Sequence, residues 1–149
     1  ETYVKVRDYL LCIGNNIVYM GENGAGLKMK ICHNMLVGEI QNGVNEMMSF
    51  ANSLGIEWEK FQDAIRIGGA KNAYLETKAK AIGLQDYTTA FSIENMYKDV
   101  SIAKQMLEEL EYDLPGTRLV WNIYDEAMKE GYGKEDFSAT FKIVSKRLQ

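Results

Sequence analysis

At 149 residues the chain is long enough for one domain with its own core, and its 46% hydrophobic and 26% charged residues are ordinary for a soluble globular fold. Its 17 basic against 21 acidic residues leave a net charge of −4, which argues against a nucleic-acid partner. No apolar run approaches the roughly 20 residues of a membrane helix. Cys12 and Cys32 lack a CxxC spacing and His33 is the only histidine, so a reduced cytoplasmic setting is expected and a His-built metal site is not.

In chain order, residues 2–12 carry Tyr3, Val6 and Leu10 at helical spacing, continued by Ile13, and Gly14 ends that helix. Ile17-Val18-Tyr19-Met20 is a short β-branched and aromatic run. It reads either as a strand whose sheet is missing or as an extended connector, since one strand cannot satisfy its own edges. Gly21, Gly24 and Gly26 then mark a bend, because three glycines so close would each cost a helix interior about 1 kcal/mol against alanine.

From about Leu27 to Ser53 the apolar positions recur every three or four residues: Ile31 or Cys32, Met35 or Leu36, Ile40, Val44, Met47 or Met48, Ala51 and Leu54. This predicts a central helix of about 40 Å at 1.5 Å per residue. Gly38 and Gly43 weaken it, which close packing of a neighbour would explain. Its methionines read as gap-filling core. Two shorter helices follow, over Ile56–Ile67 and Ala70–Ile82, with a loop over Leu84–Ala90. Ser92 is a helix N-cap, and Ile93, Met96 or Tyr97, Val100, Ala103, Leu107 and Leu110 form the next apolar face. Pro115 restarts the chain, with Leu119, Ile123, Ala127 and Met128 periodic up to Gly131-Tyr132-Gly133. Asp136 caps a last helix containing Phe137, Phe141, Ile143, Val144 and Leu148. The expectation is an all-α chain.

The candidate chemistry lies just past the glycine bend. A glycine-rich turn entering a helix leaves backbone N–H groups for an anionic ligand, and Lys30, His33, Asn34 and Val37 share one face at i, i+3, i+4 and i+7. A lysine among Met29, Ile31 and Cys32 reads either as a snorkelling surface residue or as a partly buried one. Partial burial would lower its pKa by desolvation, toward a proton-transfer role. Lys28 points to nearly the opposite face and reads as solvated. The Gly-x-x-Gly-x-Gly spacing is not the dinucleotide fingerprint, which needs Gly-x-Gly-x-x-Gly within a βαβ unit.

The pattern Gly21-x-x-Gly24-x-Gly26-x-x-x-Lys30-x-x-x-Asn34 resembles the active-site signature of the β-hydroxyacid dehydrogenases, the family of 3-hydroxyisobutyrate dehydrogenase and tartronate semialdehyde reductase. The resemblance implies Lys30 as catalytic acid/base, and Gly21, Gly24, Gly26 and Asn34 as substrate-binding. Phe91 followed by the pair Lys98-Asp99 resembles the family's second signature, implying that these three residues meet the nicotinamide cofactor. Read alone, Lys98 is as easily the partner of Glu94 in a surface i,i+4 ion pair. Pro115 and Gly131-x-Gly133-x-x-Asp136-x-Ser138 extend the similarity over nearly the whole chain. The His33-Asn34 pair instead resembles 6-phosphogluconate dehydrogenase, but Val37 stands where that enzyme has its acidic glutamate.

The implied fold is a helical C-terminal domain of the 6-phosphogluconate-dehydrogenase-like type around one long central helix. On this reading residues 1–20 are the last helix and strand of a missing Rossmann domain, and residues 21–149 are the substrate and oligomerisation domain. The implied activity is NAD- or NADP-dependent interconversion of a small 3-hydroxy acid and its semialdehyde or oxo acid. The cofactor would be bound mainly by the missing part, so this piece alone is expected to be inactive. The implied assembly is a homodimer or homotetramer, without metal, membrane or nucleic acid. Two rivals are a non-catalytic helical dimerisation domain and a divergent relative of 6-phosphogluconate dehydrogenase.

Overall fold

A computed structural model describes residues 2–147. Among these residues there are seven α-helices and two short 3₁₀ turns, and the only β-type pairing is an isolated bridge between Ser92 and Asp136. The chain divides into two compact units, residues 1–30 and 31–149.

In the first unit, α1 (Thr2–Leu11) buries none of its side chains, so the apolar Val4, Tyr9 and Leu10 face outward. Tyr3 stacks on Tyr19 with ring centroids 4.8 Å apart. The run Ile17–Met20 forms no strand. A strand exists only against a partner edge, and the described residues offer none. The bend depends on glycine at two points: Gly21 has φ +108° and Gly24 has φ +90°, where a side chain would be strained. Gly26 is different, since α2 (Ala25–Ser53) begins one residue earlier and Gly26 lies within its first turn.

α2 is about 43 Å long at 1.5 Å per residue and organises the second unit. Its earlier half contributes Ile31 and Met35 to a core with α5 (Ile93–Glu109), α6 (Pro115–Lys129) and α7 (Phe141–Lys146), which supply Val100, Ile123, Tyr124 and Ile143. Its later half contributes Val44 and Met48 to a second core with Tyr74, Leu75, Ala79 and Ile82 of α4 (Ala73–Gly83). Trp58 and Phe61 of α3 (Trp58–Arg66) pack against that cluster. Helix starts follow local chemistry: Asn72 accepts from the Leu75 N–H at 2.8 Å, Ser92 accepts from the Asn95 N–H at 3.3 Å, and Pro115 opens α6.

Between the two cores α2 turns polar side chains inward. Gln41 and Asn45 are fully buried. Gln41 donates to Thr140 Oγ1 and to the Phe137 carbonyl and accepts from the Tyr124 hydroxyl, while Asn45 donates to Thr140 and accepts from Tyr74. Burial pushes the hydroxyl pKa of both tyrosines upward, so they remain neutral donors.

Several expectations are corrected. A Cβ on Gly38 would sit 2.9 Å from Val120, the expected close packing, but Gly43 has nothing within 4 Å. Met35 and Met48 are core, whereas Met29 and Met47 are exposed. Leu54, Leu110 and Leu119 are exposed as well, because an apolar position at a helix end or on a wide stripe is buried only where another element covers it. Asp136 caps a 3₁₀ turn (Phe137–Thr140) that runs into α7. Leu148 lies outside the described residues.

Candidate active site

α2 and α5 bring together two residues that are 65 positions apart in sequence: the Asn34 carboxamide donates to Asp99 Oδ2 at 2.7 Å. Asp99 is 2% exposed and stands in the buried face of α5 with Met96, Val100 and Ala103. Its other oxygen, Oδ1, lies 3.3 Å from the ammonium of Lys98, whose side chain is 62% exposed. The arrangement is a buried carboxylate that fixes a carboxamide on one side and supports a solvent-facing cation on the other. Glu94, four residues before Lys98, is instead paired with Lys134 at 2.8 Å, so the simple surface-pair reading of Lys98 does not hold. Asn34 Oδ1 lies 3.2 Å from His33 Nδ1, and His33 is exposed.

Lys30 precedes Asn34 by four residues on α2, so one turn of helix stacks the two. Its side chain is exposed, which corrects the partly buried reading. Ile31 faces the core, but Met29 and Cys32 are themselves exposed and give Lys30 no apolar cover. Gly21 and Gly24 form the left-handed positions of the preceding bend.

Phe91 is half-exposed and meets Phe137 edge to face, with centroids 6.1 Å apart. Its backbone is held by a second acidic centre. Asp136, 1% exposed, accepts from Lys78 Nζ at 2.9 Å and from the Ala90 and Phe91 N–H groups at 3.0 and 3.3 Å. It also accepts from the Ser138 hydroxyl at 2.6 Å and the Ser138 N–H at 3.1 Å. Burial alone would raise its pKa, but the bonds from Ser138, Lys78 and Ala90 outweigh that and hold the carboxyl below its usual range. Sequence reading gave Asp136 a capping role and a place in the extended family pattern, and passed over Lys78. The signal was available, because Lys78 falls between Leu75 and Ile82 on the buried side of α4. A lysine on an apolar face needs an anion.

With this geometry in place, comparison with known proteins is decisive for the family. Residues 24–144 match the profile of a family described as NAD-binding of NADP-dependent 3-hydroxyisobutyrate dehydrogenase. The chain belongs to that family. It is 28% identical over 142 residues to 2-(hydroxymethyl)glutarate dehydrogenase of Eubacterium barkeri, covering 95% of this chain and 47% of that protein. It is 27% identical to the NAD-dependent L-serine dehydrogenase of Pseudomonas aeruginosa, over 96% of this chain and 50% of that one. The crystal structure of a 3-hydroxyisobutyrate dehydrogenase from Salmonella typhimurium superposes with a TM-score of 0.88 at 26% identity, covering 95% of this chain and 50% of that one. The chain thus spans about half the length of the curated relatives it matches. The β-hydroxyacid dehydrogenase resemblance, the all-helical fold and the nicotinamide cofactor class are borne out.

Proposed function

We propose that this chain is the helical half of an NAD- or NADP-dependent dehydrogenase that interconverts a small 3-hydroxy acid and its semialdehyde or oxo acid. The observation that carries the reading is the Asn34–Asp99 hydrogen bond with Lys98 beside it, since it joins the two signature stretches. 3-Hydroxyisobutyrate, L-serine and 2-(hydroxymethyl)glutarate, which the relatives' names contain, share a hydroxymethyl group on the carbon next to a carboxylate. That unit is the substrate class we assign.

A bound nicotinamide cofactor would supply the hydride acceptor for the hydroxyl-bearing carbon in the oxidative direction. Lys30 in its neutral amine form accepts the hydroxyl proton at Nζ and becomes the ammonium. Asn34, locked by Asp99, presents its remaining polar edge to the substrate, and the N–H groups of the Gly21–Gly26 bend suit its carboxylate. Lys98 and Phe91 fit the nicotinamide end of the cofactor: both face solvent, one offering a cation on a rigid helix and the other an aromatic ring. Asp99 is too enclosed to touch the cofactor and serves as the anchor for Asn34 and Lys98. Most of the nucleotide would be held by a Rossmann domain outside this chain. The outward-facing apolar side chains of α1 support assigning residues 1–20 to that domain.

Self-association is part of the proposal. Leu36, Met47 and Phe50 of α2, with Leu54 just past its end, form an exposed apolar stripe, and a second copy of the chain is the occupant we assign to it. Sedimentation giving only monomer at high concentration would remove this element. The activity is tested with the full-length protein, a panel of short hydroxy acids and both NAD and NADP. Turnover of hydroxymethyl carboxylates is expected; failure on the whole panel with both cofactors would overturn the reading.

A further inference from the structure

We propose that Lys78 and Asp136 are positioning residues for the cofactor site, holding the segment that carries Phe91 and opens α5. The inference rests on the reading above, in which Phe91 and Lys98 meet the nicotinamide.

Asp136 is placed to do this because its carboxylate is surrounded by donors only. Oδ1 takes the Ser138 hydroxyl and N–H, Oδ2 takes the Ala90 and Phe91 N–H groups, and Lys78 Nζ bridges both oxygens at 2.9 Å. An ionised carboxylate accepts at both oxygens, whereas an amide of the same shape accepts at one and turns an NH₂ group against the remaining donors. The charge is therefore needed, and Lys78, 17% exposed, balances it inside the fold.

What the carboxylate grips is the backbone of the site. Around it three further bonds tie the same two segments: Asp136 N–H to the Tyr87 carbonyl at 3.0 Å, Phe137 N–H to the Phe91 carbonyl at 2.8 Å, and Ile93 N–H to the Glu135 carbonyl at 2.9 Å. Ile93 is the first residue of α5, Ser92 is its cap, and Lys98 and Asp99 follow within two turns. The hold on residues 90–93 thus sets both the Phe91 ring and the direction in which α5 delivers Lys98 and Asp99. A contact that served only folding would change how much protein is folded. It would leave the cofactor affinity of the folded fraction alone.

The test uses the full-length protein with three readouts. Asp136→Asn should raise the cofactor KM by up to roughly a hundredfold, the size of loss that a displacement of about 1 Å can cause at a site, while kcat falls less. In a Phe91→Ala, Lys98→Met background the same substitution should add far less to KM than it does alone, because it acts through those residues. Lys78→Met should reproduce the defect and Lys78→Arg should relieve it. By amide hydrogen exchange, Ala90 and Phe91 should lose protection in Asp136→Asn while the Ile123 and Ala127 amides of α6 keep theirs. An unchanged cofactor KM in folded Asp136→Asn, a KM effect that multiplies fully with the Phe91 and Lys98 changes, or unchanged exchange at Ala90 and Phe91 would each overturn the proposal. If the wild-type protein itself shows no nicotinamide-linked turnover, the functional reading fails first and this inference with it.

Discussion

Among the described residues of the second unit, two Lys–Asp pairs with a buried aspartate are built for opposite ends. In both, the aspartate is enclosed, at 2% exposure for Asp99 and 1% for Asp136. The lysines differ: Lys98 is 62% exposed and Lys78 only 17%. Lys78 is consumed by the fold, neutralising a carboxylate that also takes four bonds from residues 90, 91 and 138. Lys98 keeps its ammonium turned to solvent, while the carboxylate beside it anchors Asn34. One residue pairing thus yields a structural clamp in one place and a presented charge in another. The difference is set by whether a third element closes over the lysine. For Lys78 that cover is the Phe137 ring, 5.2 Å from its ammonium.

The comparison predicts that an exposed lysine at the proposed site serves chemistry at little cost to stability, whereas the enclosed Lys78 carries stability as well as position, and the widest test is Lys30. In the full-length protein Lys30→Ala should lower kcat by about 10²–10⁴-fold, the range for a general acid/base, or roughly 3–5 kcal/mol of barrier at about 1.36 kcal/mol per tenfold. Thermal unfolding should hardly move, since Lys30 is exposed. Lys28→Ala should be close to silent in both assays, and a wild-type kcat in Lys30→Ala would break the comparison outright.

Lys78→Met adds the stability loss that Lys30→Ala lacks. It strands the buried Asp136 charge, and breaking such a pair costs about 3–5 kcal/mol. Denaturant titration should therefore show a clear loss of stability. A loss below about 1 kcal/mol would mean that the clamp is no stronger than a surface pair.

A smaller effect reads the Asp136 pair by pH. The Asp136 carboxyl is held below its ordinary value in the folded protein, so the fold favours its charged form. That contribution is complete above about pH 4, the ordinary aspartate value, and is lost as pH falls through the lower folded-state value. Asp136→Asn should be less stable near neutrality and show a flatter decline below about pH 4. An acid limb identical to wild type would remove Asp136 from the account.

The smallest stability effect belongs to Lys98. With its ammonium largely in water, Lys98→Met should change folding stability by less than about 1 kcal/mol, while the cofactor KM rises. A stability loss matching Lys78→Met would erase the distinction between the two pairs.

Much of this was legible in the sequence because it is local. Helical spacing and caps such as Ser92 located the elements to within a few residues, and the spacing from Gly21 to Asn34 named the family. Those signals are written in neighbouring residues, where period and backbone preference act directly. Even the two buried aspartates left a trace, as charges inside the apolar stripe of α5 and beside the last turns. The sequence could not say what they hold. That Asp99 meets Asn34, that Asp136 takes Lys78 and the amides of residues 90 and 91, and that Lys30 stands exposed all depend on which helices cover which faces. Burial and long-range hydrogen bonds are properties of the packed chain. Only the tertiary structure decides whether a lysine beside an aspartate is enclosed or offered to solvent.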